Sequence, residues 1–409
     1  MARVIAVLGC TGVGKTRLSI ELALALGNCE IVNADSMQVY RGFNIGSAKV
    51  REEEMQGVPH HVLSIADVEH PINVLDFVRA ARQAIDEVHA RGNTPILVGG
   101  TVYYVAALLF NTFLASNADG DHDGASSTPC QTGIAGDSYA TLQALDPDMA
   151  ERLHPNDIRR IRRSLEVMAQ KQQKHSELLA QSGGRHGVGP PRYRTLALWL
   201  DAAPDVIEGR IQKRTESMFK DGIFDENVQL YEQLKLAYGN DLDKIYGAGI
   251  GQAIGFREFR HCFEASGEVL AGALRQSVVD LNRNTFRFAK RQQRNIAGWF
   301  SGRDDLPVFR IDTSDAASWS NAVLQPAVDI CKSFVDPGVP DPNPDAYLHL
   351  HEVLAGPKAP ERRSDQGWRK FACEDCGGRI LNGALEWRVH LQSRSHRRHA
   401  KRKHVRQCT

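Results

Sequence analysis

The sequence contains no run of apolar residues long enough to cross a membrane, and no signal peptide precedes its first apolar run. We therefore expect a soluble protein without a membrane partner, located in the cytoplasm, with the nucleus and the mitochondrion left open. A reducing compartment disfavours disulfides, so the eight cysteines are interpreted as metal ligands or core thiols. The length of 409 residues exceeds one usual core, which predicts more than one domain.

The sequence also has almost no net charge, with a formal value of +1, but its charged residues are unevenly distributed. From Pro357 to the C terminus, fourteen Lys and Arg residues stand against five Asp and Glu residues, a surplus of nine that leaves about −8 on the first 356 residues. A charge split of this kind predicts a basic tail that meets nucleic acid.

A phosphate-binding motif lies almost at the start of the chain. The apolar run from Val4 to Leu8 leads into GCTGVGKT, residues 9–16, which fits the P-loop pattern G-x-x-x-x-G-K-[ST]. Glycines let successive N–H groups turn toward one anion, and the helix expected from Arg17 to Leu26 points its positive end at the same charge. Lys15 adds a cation, and the Thr16 hydroxyl is a ligand for Mg²⁺. A glycine turn that binds nothing is the alternative.

Two further strand ends carry polar residues. Ile31 and Val32 lead into NADSMQVY, and the buried strand Thr94 to Gly99 ends in Gly-Gly-Thr. The carboxyl ends of parallel strands form the rim where ligands of open α/β sheets bind. Asp35 at this rim is interpreted as a magnesium-side carboxylate or a general base, and a turn aspartate that caps the next helix is the alternative.

The order of these elements predicts a parallel sheet with helices on both faces. A helix is expected from Pro71 to Arg91 and a fourth strand from Arg194 to Leu200, because their apolar residues follow the helical and the buried-strand patterns. The adjacent histidines His60 and His61 point to opposite sides of the chain, which makes them a poor metal pair and favours a structural role.

A long helical region from Asp205 carries arginines that are candidates for the phosphate site. A P-loop with a single lysine leaves phosphate charge uncompensated, so one arginine from this region is expected to close on it. Arg210 and Arg214 are the candidates.

Two basic segments are candidates for RNA contact. His154 to Asp157 is expected to cap a basic helix that follows a helical stretch from Ser138 to Arg152. Asn282 to Gln293 mixes basic and aromatic residues. A solvated charge run is an equal alternative for the first segment, and an amphipathic core helix with one solvated side is an equal alternative for the second. The candidate RNA-contacting residues in them are Arg159, Arg160, Ile161, Arg162, Arg163, Arg283 and Arg287.

The C-terminal region has the spacing of a zinc finger. Cys373 and Cys376 are followed by His390 and His396, which gives C-x2-C-x13-H-x5-H, and His399 is an alternative to His396. Two thiolates and two imidazoles complete a tetrahedron around Zn²⁺. Trp387 and Leu391 are expected to form the small core of this finger.

Composition shifts predict five segments. Residues 1–114 form the first part of a P-loop NTPase-like α/β core, and a helical insertion with a disordered loop at 116–137 follows. The remaining boundaries place the insertion at 115–190, the completion of the core at 191–335, a proline-rich linker at 336–366, and the zinc finger with its basic tail at 367–409.

Taken together, these motifs resemble those of the tRNA dimethylallyltransferase (isopentenyltransferase) family. The set GCTGVGKT, NADSMQVY, NIGSAKV, GVPHH, ILVGGTVYY, LHPNDIRRIRRSLEV, RTESMFKDG and AKRQQRN appears in this order between residue 2 and about residue 300. The zinc finger is similar to that of eukaryotic members. The sequence departs from the family at the insertion 116–137 and at Cys10-Thr11, where bacterial members usually have Pro-Thr.

The resemblance implies transfer of a dimethylallyl group from dimethylallyl diphosphate to the exocyclic N6 of the adenine on the 3′ side of the tRNA anticodon. The implied partners are the anticodon stem-loop of tRNA and the diphosphate, the implied metals are Mg²⁺ and a structural Zn²⁺, and a monomer is expected. Asp35 would be the base, while Lys15, Arg214 and Thr101 would stabilise the leaving diphosphate.

The same resemblance implies two binding sets. Residues implied to bind the diphosphate are Gly9, Thr11, Gly12, Val13, Gly14, Lys15, Thr16 with Mg²⁺, and Arg214. Besides the basic residues named above, those implied to bind tRNA are Asp35, Ser36, Met37, Gln38 and Thr101.

Three other functions would use some of these residues. In a small-molecule kinase or NTPase, Asp35 would lie beside magnesium, but DSMQVY together with Gly-Gly-Thr disfavours this class. An adenylate isopentenyltransferase would use the same chemistry, although a nucleotide substrate does not need a basic zinc finger. An RNA-binding protein with a relict loop is disfavoured because every catalytic candidate is present.

Overall fold

The computed structural model describes residues 2–110, 138–181, 190–300, 303, 305–336, 338, 370–377, 379–393 and 395–400. These residues divide into two compact units, one formed by 2–110 and 190–338 and the other by 138–181 and 370–400. The predicted disordered loop 116–137 and most of the predicted linker lie outside the described residues. No helix within the described ranges is long and apolar enough to span a membrane.

The first unit is built on a parallel sheet of six strands with the order β3-β2-β4-β1-β5-β6. The predicted parallel α/β core is therefore confirmed. The short strands β3 and β6 were not predicted, since two residues and a mixed VFRID segment give little periodic signal. The strands are β1 (Arg3–Gly9), β2 (Cys29–Asn33), β3 (His60–His61), β4 (Thr94–Gly99), β5 (Arg194–Asp201) and β6 (Val308–Asp312).

Both units contain helices. Those of the first unit are α1 (Lys15–Leu26), α2 (Glu52–Met55), α3 (Val74–Ala90), α4 (Val102–Leu109), α9 (Pro204–Lys220), α10 (Ile223–Tyr238), α11 (Leu242–Gly247), α12 (Gly267–Phe300) and α13 (Gln325–Val335). Those of the second unit are α5 (Ser138–Leu145), α6 (Pro147–Arg152), α7 (Ile158–Lys171), α8 (His175–Gln181) and α14 (Gly383–Gln392).

Strand β1 occupies the centre of the sheet because it pairs with β4 on one side and with β5 on the other. Its residues from Val4 to Leu8 are at most 1% exposed. Ile5 and Val7 pack in one cluster with side chains of α1 and α13, while α3 and α4 contact β4. A strand buried on both faces needs the continuous apolar run that the sequence shows, and it fixes the P-loop at the middle of the carboxyl edge.

The helical region predicted from Asp205 is two helices, α9 and α10. They meet at Gly222, whose φ of 92° lies in the left-handed region that favours glycine. This turn lets α9 run past the P-loop and α10 past the loop that follows β2.

The helices α5 to α8 of the second unit pack around a small apolar core that includes Leu142, Met149 and Leu165. Asp157 caps α7 as predicted, because its side chain accepts the Arg160 N–H at 3.2 Å. The helical stretch predicted from Ser138 to Arg152 consists of two helices, since Asp146 and the following proline start a new helix there.

Ile161 requires a correction. Its side chain is 0% exposed and belongs to the core of the helical insertion, so we assign it to packing and withdraw it from the RNA-contacting residues. The arginines on either side of it in the sequence face other directions because successive residues on a helix are about 100° apart.

The C-terminal part of the second unit is an antiparallel pair, β7 (Lys370–Cys373) and β8 (Arg379–Asn382), followed by α14. Trp387 stacks on Phe371 with ring centroids 5.3 Å apart, and Leu381 is 6% exposed. Leu391 is 38% exposed, so its predicted core position is wrong. It follows the inward-facing His390 by one residue and is rotated away from the core.

Candidate active site and metal centre

The P-loop takes a backbone path that only glycine allows at two positions. A Cβ on Gly9, where φ is 156°, would lie 2.7 Å from the Leu200 carbonyl oxygen. A Cβ on Gly14, where φ is 91°, would lie 2.8 Å from the ring of Trp319. The left-handed Gly14 directly precedes the first turn of α1, an arrangement in which loop N–H groups and the positive end of a helix can bind one anion.

Lys15 is the cation of this loop. Its Nζ donates to the carbonyl oxygen of Cys10 at 2.8 Å, which folds the side chain back over the loop. The pKa of Lys15 is lowered to about 8, mainly by burial and to a smaller extent by Arg214, while Cys10 and the Asp35 carboxylate act in the opposite direction. Lys15 and Asp35 are therefore close enough to interact electrostatically.

Arg214 and Arg210 approach the same loop from α9 in different ways. Arg214 Nη1 donates to the Thr11 hydroxyl at 2.7 Å, and burial lowers its pKa. Arg210 donates to the Gly12 carbonyl oxygen at 3.4 Å and to the Thr313 hydroxyl at 3.2 Å. Both arginines thus hold the P-loop, Arg210 through the Gly12 carbonyl oxygen and Arg214 through the Thr11 hydroxyl.

Asp35 lies in a turn that follows β2. Its Oδ1 accepts the Met37 N–H at 2.8 Å, and its own N–H donates to Asn33 Oδ1 at 3.2 Å. Asn33 in turn donates to the Val62 carbonyl oxygen at 3.0 Å. These bonds hold the partly exposed Asp35 carboxylate in one orientation at the carboxyl edge of the sheet.

Thr101 lies beside Asp35 because β2 and β4 are neighbours. A Cβ on Gly99 would be 2.2 Å from the Ala34 carbonyl oxygen, so the two strand ends touch. The Thr101 hydroxyl accepts the Ser36 N–H at 3.2 Å and lies 3.4 Å from the Ser36 hydroxyl. The structure therefore brings together Asp35, Ser36 and Thr101, as the sequence predicted for residues at adjacent strand ends.

Gln38 connects this turn to the loop Phe43 to Lys49. Its Nε2 donates to the carbonyl oxygens of Ser47 and Ala48, both at 3.2 Å. Lys49 Nζ donates to the Tyr40 carbonyl oxygen at 2.6 Å and to the Ser64 hydroxyl at 2.9 Å. Burial lowers the pKa of Lys49 to about 8.

Glu226 on α10 fixes the same loop, and sequence reasoning missed it. The Glu226 carboxylate accepts the backbone N–H groups of Asn44, Ile45 and Gly46, each at 2.8 Å. The motif NIGSAKV was the only signal that this loop has a defined conformation. Nothing local in the sequence indicates a carboxylate about 180 residues further along the chain.

The predicted zinc ligands come together in the second unit. Ligand atoms of Cys373, Cys376, His390 and His396 all lie within 4.8 Å of one another. His396 Nδ1 is 3.4 Å from Cys373 Sγ and 3.6 Å from Cys376 Sγ. The exposed His399 instead has its Nδ1 at 2.9 Å from the Ser395 carbonyl oxygen, which decides between the two histidines in favour of His396. A Cys₂His₂ donor set fits Zn²⁺.

The model of the IPP transferase family matches residues 38–301. The chain belongs to this family. The tRNA dimethylallyltransferase of Mus musculus is 32% identical over 96% of this chain and 84% of its own length. That of Schizosaccharomyces pombe is 31% identical over 97% of this chain and 94% of its own length.

Solved structures agree with this family. A eukaryotic dimethylallyltransferase captured while acting on tRNA is 29% identical, covers 100% of this chain and 98% of its own, and superposes with a TM-score of 0.78. The full-length tRNA isopentenylpyrophosphate transferase of Bacillus halodurans is 28% identical and superposes with a TM-score of 0.51, over 86% of this chain and 100% of its own.

Two glutamines of the family motif AKRQQRN, on α12, meet the carboxyl edge of the sheet. Gln292 contacts both the P-loop and Gly100. Gln293 Nε2 donates to Asp201 Oδ1 at 2.6 Å, and Asp201, at the end of β5, also accepts from Arg310 Nε at 2.9 Å. For this stretch the sequence left an RNA-facing helix and an amphipathic core helix equally open, and it did not single out the two glutamines.

His61 has the structural role that the sequence favoured. Its Nε2 lies 2.6 Å from Oε2 of the buried Glu30, which also accepts hydrogen bonds from Arg91 and Asn93. Arg91 is the largest cause that lowers the pKa of Glu30 to about 2, and Asn93 and His61 act in the same direction. This cluster joins β2, β3 and the end of α3.

The predicted RNA-contacting arginines are partly engaged in local ion pairs. Arg160 lies 3.4 Å from Asp157, Arg163 lies 3.5 Å from Glu166, and Arg283 pairs with Asp280. Arg162 and Arg287 are exposed, and the side chain of Arg159 lies outside the described residues. The contact of these arginines with RNA stays a prediction.

Proposed function

We propose that this protein is a tRNA dimethylallyltransferase that joins the dimethylallyl group of dimethylallyl diphosphate to N6 of the adenine on the 3′ side of the anticodon. The observation that carries the proposal is the pairing of Lys15 and Arg214 at the P-loop with Asp35 and Thr101 at the neighbouring strand ends. One side of this edge suits a diphosphate, and the other suits an amine that loses a proton. The family assignment and the relatives named above support the same reaction.

On the donor side, Lys15, Arg214 and the loop N–H groups bind the diphosphate. Negative charge grows on the oxygen that leaves the dimethylallyl carbon, and preorganised donors stabilise that charge. The Thr16 hydroxyl, exposed in the first turn of α1, is an oxygen ligand of the kind that Mg²⁺ accepts. When bound, Mg²⁺ would supply further positive charge to the diphosphate oxygens.

On the acceptor side, Asp35 takes the proton from N6. The lone pair of this amino group is delocalised into the adenine ring, so attack needs a base as well as a good leaving group. A carbon–nitrogen bond forms while the carbon–oxygen bond to the diphosphate breaks, and the proton goes to the Asp35 carboxylate. Thr101 and Ser36 hold this side of the site through their mutual hydrogen bonds.

The adenine must leave the stack of the anticodon loop to reach Asp35. Ser36, Met37 and Gln38 are placed to line its edge. The Gln38 amide nitrogen is committed to Ser47 and Ala48, so the Gln38 carbonyl oxygen is the atom we assign to RNA. Arg159, Arg160, Arg162, Arg163, Arg283 and Arg287 are assigned to the tRNA backbone, and the zinc finger adds its basic tail.

One assay tests the proposal. The purified protein is incubated with labelled dimethylallyl diphosphate and is offered tRNA, AMP, ADP and ATP in parallel. We expect label in tRNA only, and none in a tRNA transcript whose adenine 3′ of the anticodon is replaced by guanine. Label in a free nucleotide would show an adenylate isopentenyltransferase, and ATP-dependent phosphorylation without prenyl transfer would show a kinase.

A further inference from the structure

One buried side chain on α12 reaches two loops of the active site. Gln292 is 4% exposed. Its Oε1 accepts the N–H of Thr11 at 2.9 Å, and its Nε2 donates to the carbonyl oxygen of Gly100 at 2.8 Å. Both ends of the amide are therefore used, one for each loop.

These two loops carry different residues of the proposed site. Thr11 lies in the P-loop, and its hydroxyl accepts the hydrogen bond from Arg214. Gly100 directly precedes Thr101, whose hydroxyl accepts the Ser36 N–H. Gln292 thus links the P-loop to the loop of Thr101, a residue assigned both to the leaving diphosphate and to the adenine.

The contact is also close in space. A Cβ on Gly100 would lie 2.3 Å from Gln292 Nε2 and 3.2 Å from the Gly9 carbonyl oxygen. Only a glycine fits between the Gln292 amide and the P-loop. The close contact with Gln292 therefore explains why the second residue of Gly-Gly-Thr, Gly100, is a glycine.

We propose that Gln292 is a positioning residue that sets the distance between the diphosphate loop and the Thr101 side of the site. It acts through Thr11 and Gly100 and does not need to touch either substrate. The inference rests on the proposed transferase function. Because transfer requires both reactants in one geometry, a small displacement of one loop against the other can slow the reaction about 10²-fold while each substrate still binds.

The test compares Gln292→Met with Gln293→Met in the full-length protein. Gln292→Met keeps the length of the side chain and removes both hydrogen bonds. The control Gln293→Met changes a residue on the same turn of α12 and removes a hydrogen bond to Asp201. We expect Gln292→Met to lower kcat about 10²-fold with little change in the KM for either substrate, and Gln293→Met to stay near the wild type. Transfer by the wild-type protein in the same assay tests the proposed function separately.

Two additional measurements separate positioning from general loss of structure. Thermal unfolding of both variants should be similar, and Gln292→Glu, which cannot donate to Gly100 when ionised, should repeat the loss of kcat. Combining Gln292→Met with Thr101→Val should give a less than additive loss, because both changes act on one loop. An unchanged kcat, or a loss confined to KM, would overturn the proposal, as would full additivity with Thr101→Val.

Discussion

Asp35 uses one carboxylate oxygen to hold its own turn, since Oδ1 accepts the Met37 N–H at 2.8 Å. Asp35→Asn keeps an acceptor for this bond and removes the base. We expect the single-turnover transfer rate to fall by about 10²–10⁴-fold while the affinity for dimethylallyl diphosphate, measured by calorimetry, stays nearly constant. A variant that binds the diphosphate poorly and yet turns over normally at saturation would show that Asp35 serves the donor side.

Lys15 gives the donor side a pH dependence. Its pKa of about 8 in the free protein means that the ammonium is present below pH 8 and is lost as the pH rises through that value. The kcat/KM for dimethylallyl diphosphate, measured at saturating tRNA, should therefore fall on the alkaline side of about pH 8.

Arg214→Ala provides the check on this assignment. Arg214 lowers the pKa of Lys15, so removing Arg214 should move the fall of kcat/KM to higher pH. The same substitution should weaken diphosphate binding at neutral pH. Lys15→Ala and Arg214→Ala should be less than additive if they act on the same oxygens. If kcat/KM for dimethylallyl diphosphate still falls at alkaline pH in Lys15→Ala, the titrating group is not Lys15. Lys49 would be the next candidate.

For single residues, the sequence predicted the site residues that directly follow strands. It did not predict the site residues that lie on helices distant in the sequence. Asp35, Thr101 and Lys15 were predicted because a strand end fixes where the next residues lie. Gln292 and Glu226 reach the site across 281 and 182 residues of sequence, respectively. No local periodicity encodes such a contact.

In the C-terminal zinc finger, two histidines can be compared as candidates for the fourth zinc ligand. His396 lies with the two cysteines, while His399 contacts the Ser395 carbonyl oxygen and is exposed. We expect His396→Ala to lose bound zinc and the fold of the finger, and His399→Ala to keep one zinc per chain. Metal content by mass spectrometry measures this. Retention of zinc by His396→Ala and loss by His399→Ala would reverse the assignment.

The elements that the sequence predicted least well are those with weak or competing signals. Strands β3 and β6 pair only at the margins of the sheet. Ile161 and Leu391 were assigned by their neighbours in sequence, and helical geometry places each on a different face from those neighbours. The strongly apolar β1, β4 and β5 were predicted correctly, because a strand buried on both faces has few alternatives.

For the whole molecule, charge separates the chain into an acidic part and a basic tail. The first 356 residues carry about −8, and the remainder carries a surplus of nine positive charges. We expect deletion of residues 356–409 to raise the KM for tRNA and to flatten the slope of log affinity against log salt by about 0.7–0.9 for each tRNA phosphate that the tail neutralises. Turnover at saturating tRNA should change much less, since Asp35, Lys15 and Thr101 lie outside the deleted segment.

Cys376→Ser in the full-length chain is the companion to this truncation. It keeps every charge of the tail and removes one zinc ligand, so it should reproduce the deletion in part. An unchanged salt slope after truncation would mean that the tail does not contact tRNA, and would direct the search toward a protein partner for the finger.

The loop held by Glu226 has a consequence for selectivity among anions. Asn44, Ile45 and Gly46 present three N–H groups to one point, an arrangement that binds phosphate in many proteins. Here the protein supplies its own carboxylate to that point, so the loop is already neutralised and does not compete with the P-loop for the diphosphate. Inhibition by sulfate or inorganic phosphate should accordingly follow simple one-site competition with dimethylallyl diphosphate.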